Sequence, residues 1–179
     1  FERNVRDEVV QVALTEAELQ GVPASLWAEA KRDASGRVVL PVDDATYFPL
    51  MRNATDAAVR ERIWRADTNK GGEANLKLLA ELGRLRLEVA RLFGARSYAD
   101  FTLRRRMAQT AARANRFLAE VQQAVGERER AEVADMRAAK AQVLGKPVAE
   151  VSVERWDAVF YPEQIRRARH AVDQEAFRQ

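Results

Sequence analysis

The stretch GGEANLKLLAELGRLRLEVARLFG constrains the fold of this chain more than any other. Leu78, Leu82, Leu85, Val89 and Leu92 recur at alternating steps of four and three, which sets them on one face of an α-helix. Leu76, Leu79 and Leu87 widen that surface beyond a single stripe, so the pattern predicts a helix placed centrally in the core. Gly94 stands where a left-handed C-cap would end it. A second, longer helix is predicted from a Thr110 N-cap to about Leu144, stopped by Gly145 and Pro147. Its stripe of Ala114, Phe117, Val121 and Val125 fades beyond Gly126 into Arg, Glu and Ala. That distal half is expected to project into solvent or to lie on a partner surface.

Shorter elements surround these two. Thr15–Glu18 and Ser97–Asp100 both have the capping-box form, each expected to open a short helix. A helix carrying Leu26, Trp27 and Ala30 is expected from about Pro23 to Asp33, followed by a turn at Ser35-Gly36. The run RVVLPV reads as a strand ended by Pro41. A helix then starts at Asp43 or Asp44, kinked or shortened by Pro49, and another begins at Thr55 and buries Val59 and Ile63 with Trp64 beside them. The expected class is all-α: a multi-helix array with long antiparallel helices and at most one minor β strand pair. The whole of 1–179 is read as one helical segment, with 1–54 and 55–179 as possible sub-lobes.

Charge and composition exclude several functions. The 30 basic residues face 27 acidic ones, a net charge of only +3 despite a pI near 9.5, and most arginines are interleaved with carboxylates as on solvated helical faces. A dedicated nucleic-acid surface is therefore not expected; salt dependence of any DNA or RNA binding would judge that. No apolar run approaches the ~20 residues of a membrane helix, so no membrane partner is expected either. With no cysteine, disulfides and thiolate chemistry are absent. The start at Phe1 has neither an initiator methionine nor the form of a signal peptide, and localisation is not readable from it.

Catalytic sets needing two histidines cannot be assembled, because His170 is alone. A helical zinc site of the His-Glu-x-x-His kind is thus impossible within the chain. No Gly-x-Ser-x-Gly elbow exists, and Gly71-Gly72 lacks the continuation of a phosphate loop. Asp43-Asp44 is better explained by helix capping than by paired catalytic carboxylates, and Leu103–Met107 (LRRRM) by ion pairs with neighbouring helices than by phosphate binding. His170, in a helix with Arg166, Arg167 and Arg169, suits the negative end of the helix dipole, and a fresh helix starts at Asp173.

Several of these segments together resemble one family, the thimet oligopeptidase, neurolysin and dipeptidyl carboxypeptidase group of zinc metallopeptidases. LTEAELQGVPASLWAEAK is similar to its acidic run, Glu-Leu-x-Gly-Leu-Pro turn and following helix. GRVVLPVDDATYFPLMRNATDAAVRERIWRADTNKGGEAN resembles its strand, its Tyr-x-Pro-hydrophobic-Met helix and its Arg-Glu-x-hydrophobic-aromatic-x-Ala helix. RLRLEVARLFGARSYADFTLRRRMAQT follows the pattern Arg-x-x-x-Ala-x-Leu-Leu-Gly-aromatic-x-x-Tyr-Ala-x-aromatic, and WDAVFYPEQIRRARHAVDQEAFRQ resembles the Trp-Asp-x-x-Tyr-Tyr-x-Glu stretch. Pro162 takes a place usually small and polar, while Phe160 and His170 stand where tyrosine is common.

The resemblance implies a zinc-dependent oligopeptidase, with a deep channel between two mostly helical lobes that admits short peptides. Two histidines and a glutamate would hold the metal in the parent enzyme, and the motif's glutamate would deprotonate the bound water; none of these lies in this chain. The chain is expected to stop where the catalytic part would begin, and to supply helices of one lobe and channel wall. Its partners are then the remainder of the peptidase, short peptide substrates in the full enzyme, and a second copy through exposed apolar surface. Trp156 and Tyr161 are the channel-wall candidates, since aromatic rings with polar tips suit a wet wall; ordinary core packing is the competing reading. By itself the chain is expected to retain no stoichiometric zinc after dialysis and to cleave no quenched fluorescent peptide. Robust, chelator-sensitive turnover by the purified chain would contradict this.

Overall fold

A computed structural model describes residues 1–170, the side chain of His170 excepted. The helix start expected at Asp173 and the setting of the His170 imidazole lie outside the described residues. The order of elements is α1 (Glu2–Asp7), β1 (Gln11–Leu14), β2 (Val38–Pro41), α2 (Asp44–Asn53), α3 (Ala57–Thr68), α4 (Gly72–Leu92), α5 (Tyr98–Leu103), α6 (Ala111–Leu144) and α7 (Phe160–His170). The described residues are thus mostly helical with one antiparallel strand pair, as the periodicity predicts. Internal contacts divide the chain into two units: Phe1–Val5 with Gly71–Ala131, and Arg6–Lys70 with the stretch from Glu132 onward.

The second unit holds the core. In the strand pair Val12 faces Leu40 and Leu14 faces Val38, and the strand period of two turns all four inward. Leu50 and Met51 of α2, and Val59 and Ile63 of α3, close over them. The two helices are set by their caps. Asp43 Oδ1 accepts the Thr46 N–H at 3.0 Å while the Asp43 N–H donates to Thr46 Oγ1, a reciprocal box. Asp56, rather than Thr55, caps α3 through the Ala58 N–H. Pro49 lies inside α2 without ending it, and the helix runs on to Asn53, whose Nδ2 donates back to the Pro49 carbonyl.

Two short helices expected near the N-terminus do not form. Thr15–Glu18 makes both capping-box hydrogen bonds, Thr15 N–H to Glu18 Oε2 and Glu18 N–H to Thr15 Oγ1, but the chain then continues as turns. Gly21, at φ +87°, breaks any continuation. Beyond Pro23 a single 3-10 turn, Ala24–Leu26, replaces the expected helix, and Trp27 donates its indole N–H to the Val22 carbonyl at 3.2 Å. Leu26, Trp27 and Ala30 still pack on the core, so a one-sided apolar pattern is satisfied without helix.

The first unit reverses the expectation for α4. The helix forms and ends as predicted, with Gly94 at φ +66° and Ala95 N–H bonded to the Ala90 carbonyl. It is not central in a core: only Asn75 and Ala90 are buried, and Leu92 is 84% exposed. Periodicity defines an apolar face but not its covering, and among the described residues of this unit α5 packs on α4 without burying the leucine stripe. The expected boundaries of α6 are met, with Thr110 Oγ1 accepting the Arg113 N–H. Phe117, Val121 and Val125 in the proximal half are exposed, and the distal half, expected to project into solvent or to lie on a partner surface, is largely exposed too, with Ala141 its one buried residue.

Gly21 marks the tightest approach in that second unit. A Cβ there would lie 2.4 Å from the Asn53 carbonyl oxygen and 2.9 Å from the Thr55 methyl, whereas at Gly36, also at positive φ, it would meet nothing. Gly21→Ala is expected to lose about 3 kcal/mol, from left-handed strain plus overpacking, and Gly36→Ala only about 1 kcal/mol. Denaturant midpoints of the two variants at unchanged m-value check the difference.

Candidate functional site

The sequence Glu154-Arg155-Trp156-Asp157 forms a 3-10 turn just before α7, and it carries the most concentrated polar chemistry of the buried interior. Asp157 is fully buried. Its Oδ1 accepts from Arg60 Nη2 of α3 at 2.9 Å, and its Oδ2 accepts from Lys140 Nζ of α6 at 2.6 Å and from the Glu154 N–H at 3.0 Å. Arg60, 1% exposed, donates Nη1 to the carbonyls of Ala54 and Thr55, the first two residues of the α2–α3 connection. Its Nε is the one buried side-chain polar atom without a hydrogen-bond partner among the described residues. The guanidinium face lies instead over the Phe160 ring at 4.0 Å, with the Tyr161 ring 5.8 Å away.

Burial alone would push the Asp157 carboxyl up. The hydrogen bonds from Lys140, the Glu154 N–H and Arg60 outweigh it and hold the carboxyl below the ordinary aspartate range. Burial pushes the Tyr161 phenol up, with the nearby Arg60 cation opposing it. A carboxylate kept ionised and fully buried, with donors on both oxygens, has no proton to give and no surface open to a substrate. Its chemistry is that of a clamp: it fastens α3, α6 and the turn before α7 through one buried charge.

Of the two channel-wall candidates, Tyr161 is 3% exposed and meets Phe160 edge to face at 5.1 Å. Trp156 is half-buried, tilted against Trp64 at 5.8 Å between centroids, with the Arg65 guanidinium 6.0 Å from its ring. Asp43 is a helix cap. Among the described residues the arginines of LRRRM do not make the expected ion pairs: Arg104 donates to the Phe93 carbonyl, and Arg105 and Arg106 pair with no carboxylate. No group of three His, Cys, Asp or Glu side chains is placed to hold a metal among the described residues. Residue-level reading missed Arg60, Lys140 and Asp157. Two of them lay inside motifs already noted, the Arg-Glu-x-hydrophobic-aromatic helix and the Trp-Asp turn, but their pairing across 97 positions had no local signal.

Asp157→Asn leaves Arg60 and Lys140 as poorly compensated buried cations and is expected to cost about 3–5 kcal/mol. Because the folded carboxyl titrates below its unfolded value of about 4, its contribution is complete above that pH and disappears as pH falls through the folded value. Thermal unfolding between neutral and acid pH is expected to show a steep acid loss in the wild type and a shallower one in the variant.

The chain's likeness to known proteins covers this turn and both helices that meet it. The model of peptidase family M3 matches residues 50–179. Oligopeptidase A of Escherichia coli is 28% identical over 193 residues, covering 99% of this chain and 28% of that protein. The organellar oligopeptidase A, chloroplastic/mitochondrial, of Arabidopsis thaliana is 27% identical over 196 residues, 99% of this chain and 24% of its own length. The dipeptidyl carboxypeptidase of Escherichia coli is 28% identical over 178 residues, 95% of this chain and 25% of its own. The chain spans about a quarter of the length of the curated relatives it matches. A family match over most of the chain, taking in both Arg60 and Asp157, places it: the chain belongs to peptidase family M3.

Proposed function

We propose that the chain is a helical, non-catalytic part of a zinc-dependent oligopeptidase that hydrolyses short peptides, contributing to one lobe and to the wall of the substrate channel. The likeness to oligopeptidases over nearly the whole chain carries this reading. In this reading Trp156 offers its accessible ring to the channel, and the buried Tyr161 braces Phe160 and Arg60 behind it. The clamp at Asp157 then holds the wall rigid, since an aromatic surface selects by shape only if it stays in place.

A second reading, a free-standing helical interaction module without peptidase chemistry, is favoured by the uncovered apolar face of α6, where Phe117, Leu118, Val121 and Val125 are all exposed. The reading frame beyond Gln179 separates the two: a downstream His-Glu-x-x-His is expected, and its absence would leave the module. In the full-length protein, Trp156→Ala is expected to raise KM for short peptides severalfold with kcat little changed, as loss of uniform binding does. An unchanged KM would remove Trp156 from the channel wall.

A further inference from the structure

Charge is spread unevenly along the chain. From Val89 to Ala119 there are seven arginines, beginning at Arg91 and ending at Arg116, against the single carboxylate Asp100; the net is +6 where the whole chain carries +3. Elsewhere carboxylates balance the cations, so this stretch departs from the salt-bridged pattern of the remaining helices. It lies entirely within the first unit.

Two of these arginines, Arg96 and Arg104, line a cleft. A cavity of about 490 Å³ opens between the end of α4, the end of α5 and the start of α6, lined in part by Arg96, Arg104, Asp100, Gln109 and Thr110. Arg96 is 94% exposed at its side chain and reaches Asp100 only at 3.8 Å. Arg105 and Arg106 follow the lining residue Arg104 in sequence and have no ion-pair partner among the described residues. The largely exposed Phe93 and Met107 flank the same loops, with Phe93 stacked on Phe101 at 5.0 Å.

We infer that this face docks an acidic polypeptide segment, one in which Asp or Glu alternates with apolar side chains. Charge complementarity calls for an anionic partner, and arginine forks match carboxylates two bonds at a time. Asp100 favours a polypeptide over a phosphate backbone: phosphate oxygens only accept and carry charge that a carboxylate repels, whereas a peptide backbone brings N–H donors that Asp100 can accept. Exposed Phe93 and Met107 supply apolar contacts that a carboxylate-only ligand would leave unused. The inference concerns binding alone and stands apart from the peptidase reading.

The test is fluorescence anisotropy with the whole chain. The probes are a short labelled peptide of Glu, Asp and Leu, its Gln, Asn and Leu counterpart, and a labelled single-stranded oligonucleotide. The acidic peptide is expected to bind at least about tenfold more tightly than its amide counterpart, and more weakly as salt is raised. The double variant R105E/R106E is expected to lose that preference with an unchanged far-ultraviolet circular dichroism spectrum, while the charge-matched control K31E/K77E keeps it. Equal affinity for the two peptides, retention of the preference in R105E/R106E, or tighter binding of the oligonucleotide would each overturn the proposal.

Discussion

One buried carboxylate organises the part of this chain that has a core. Asp157 receives a guanidinium from α3, an ammonium from α6 and a backbone N–H from its own turn, and Arg60 passes the connection on to the carbonyls of the α2–α3 link. Dehydrating three charged groups is costly, and an apolar set of equal volume would serve stability as well. What the charges add is direction. A hydrophobic contact tolerates sliding, whereas a carboxylate with both oxygens committed admits one arrangement of its donors. The aromatic rings of Phe160 and Tyr161 complete the enclosure by taking the guanidinium face that no acceptor meets.

The sequence revealed elements better than surroundings. The C-terminal bounds of α4 and α6 were legible because Gly94 and Gly145 supply the positive φ that a helix end takes up, with Pro147 beyond the second. The β2 strand was legible in RVVLPV, but its partner Gln11–Leu14 is only four residues long and is recognisable mainly through its pairing. Thr15–Glu18 misled because a capping box is a local hydrogen-bond pattern that turns also satisfy. The leucine stripe of α4 misled differently: periodicity reports which residues share a face, and covering depends on long-range packing.

The candidate site shows the same division. Trp156 and Tyr161 stand out in a sequence because aromatic residues are conspicuous, yet the group that determines their placement is the unremarked Asp157 between them. Arg60 and Lys140 look like surface charges on amphipathic helices. Only tertiary structure distinguishes the buried arginine from Arg62 and Arg65, its exposed helical neighbours. Family membership, by contrast, needed no burial information, since it rests on the order of motifs along the chain.

The uneven distribution of buried side chains has a thermodynamic consequence. Every large apolar residue in the buried set, from Val12 to Tyr161, belongs to the second unit; the first contributes only Ala90 and Ala95. A helical region that buries so little has a shallow dependence of free energy on temperature, because heat-capacity change follows apolar area. The two units are therefore mismatched in cooperativity. A calorimetric endotherm would report chiefly on the strand pair and its helices, and α4 would melt gradually beneath it, so one transition temperature would not describe the molecule.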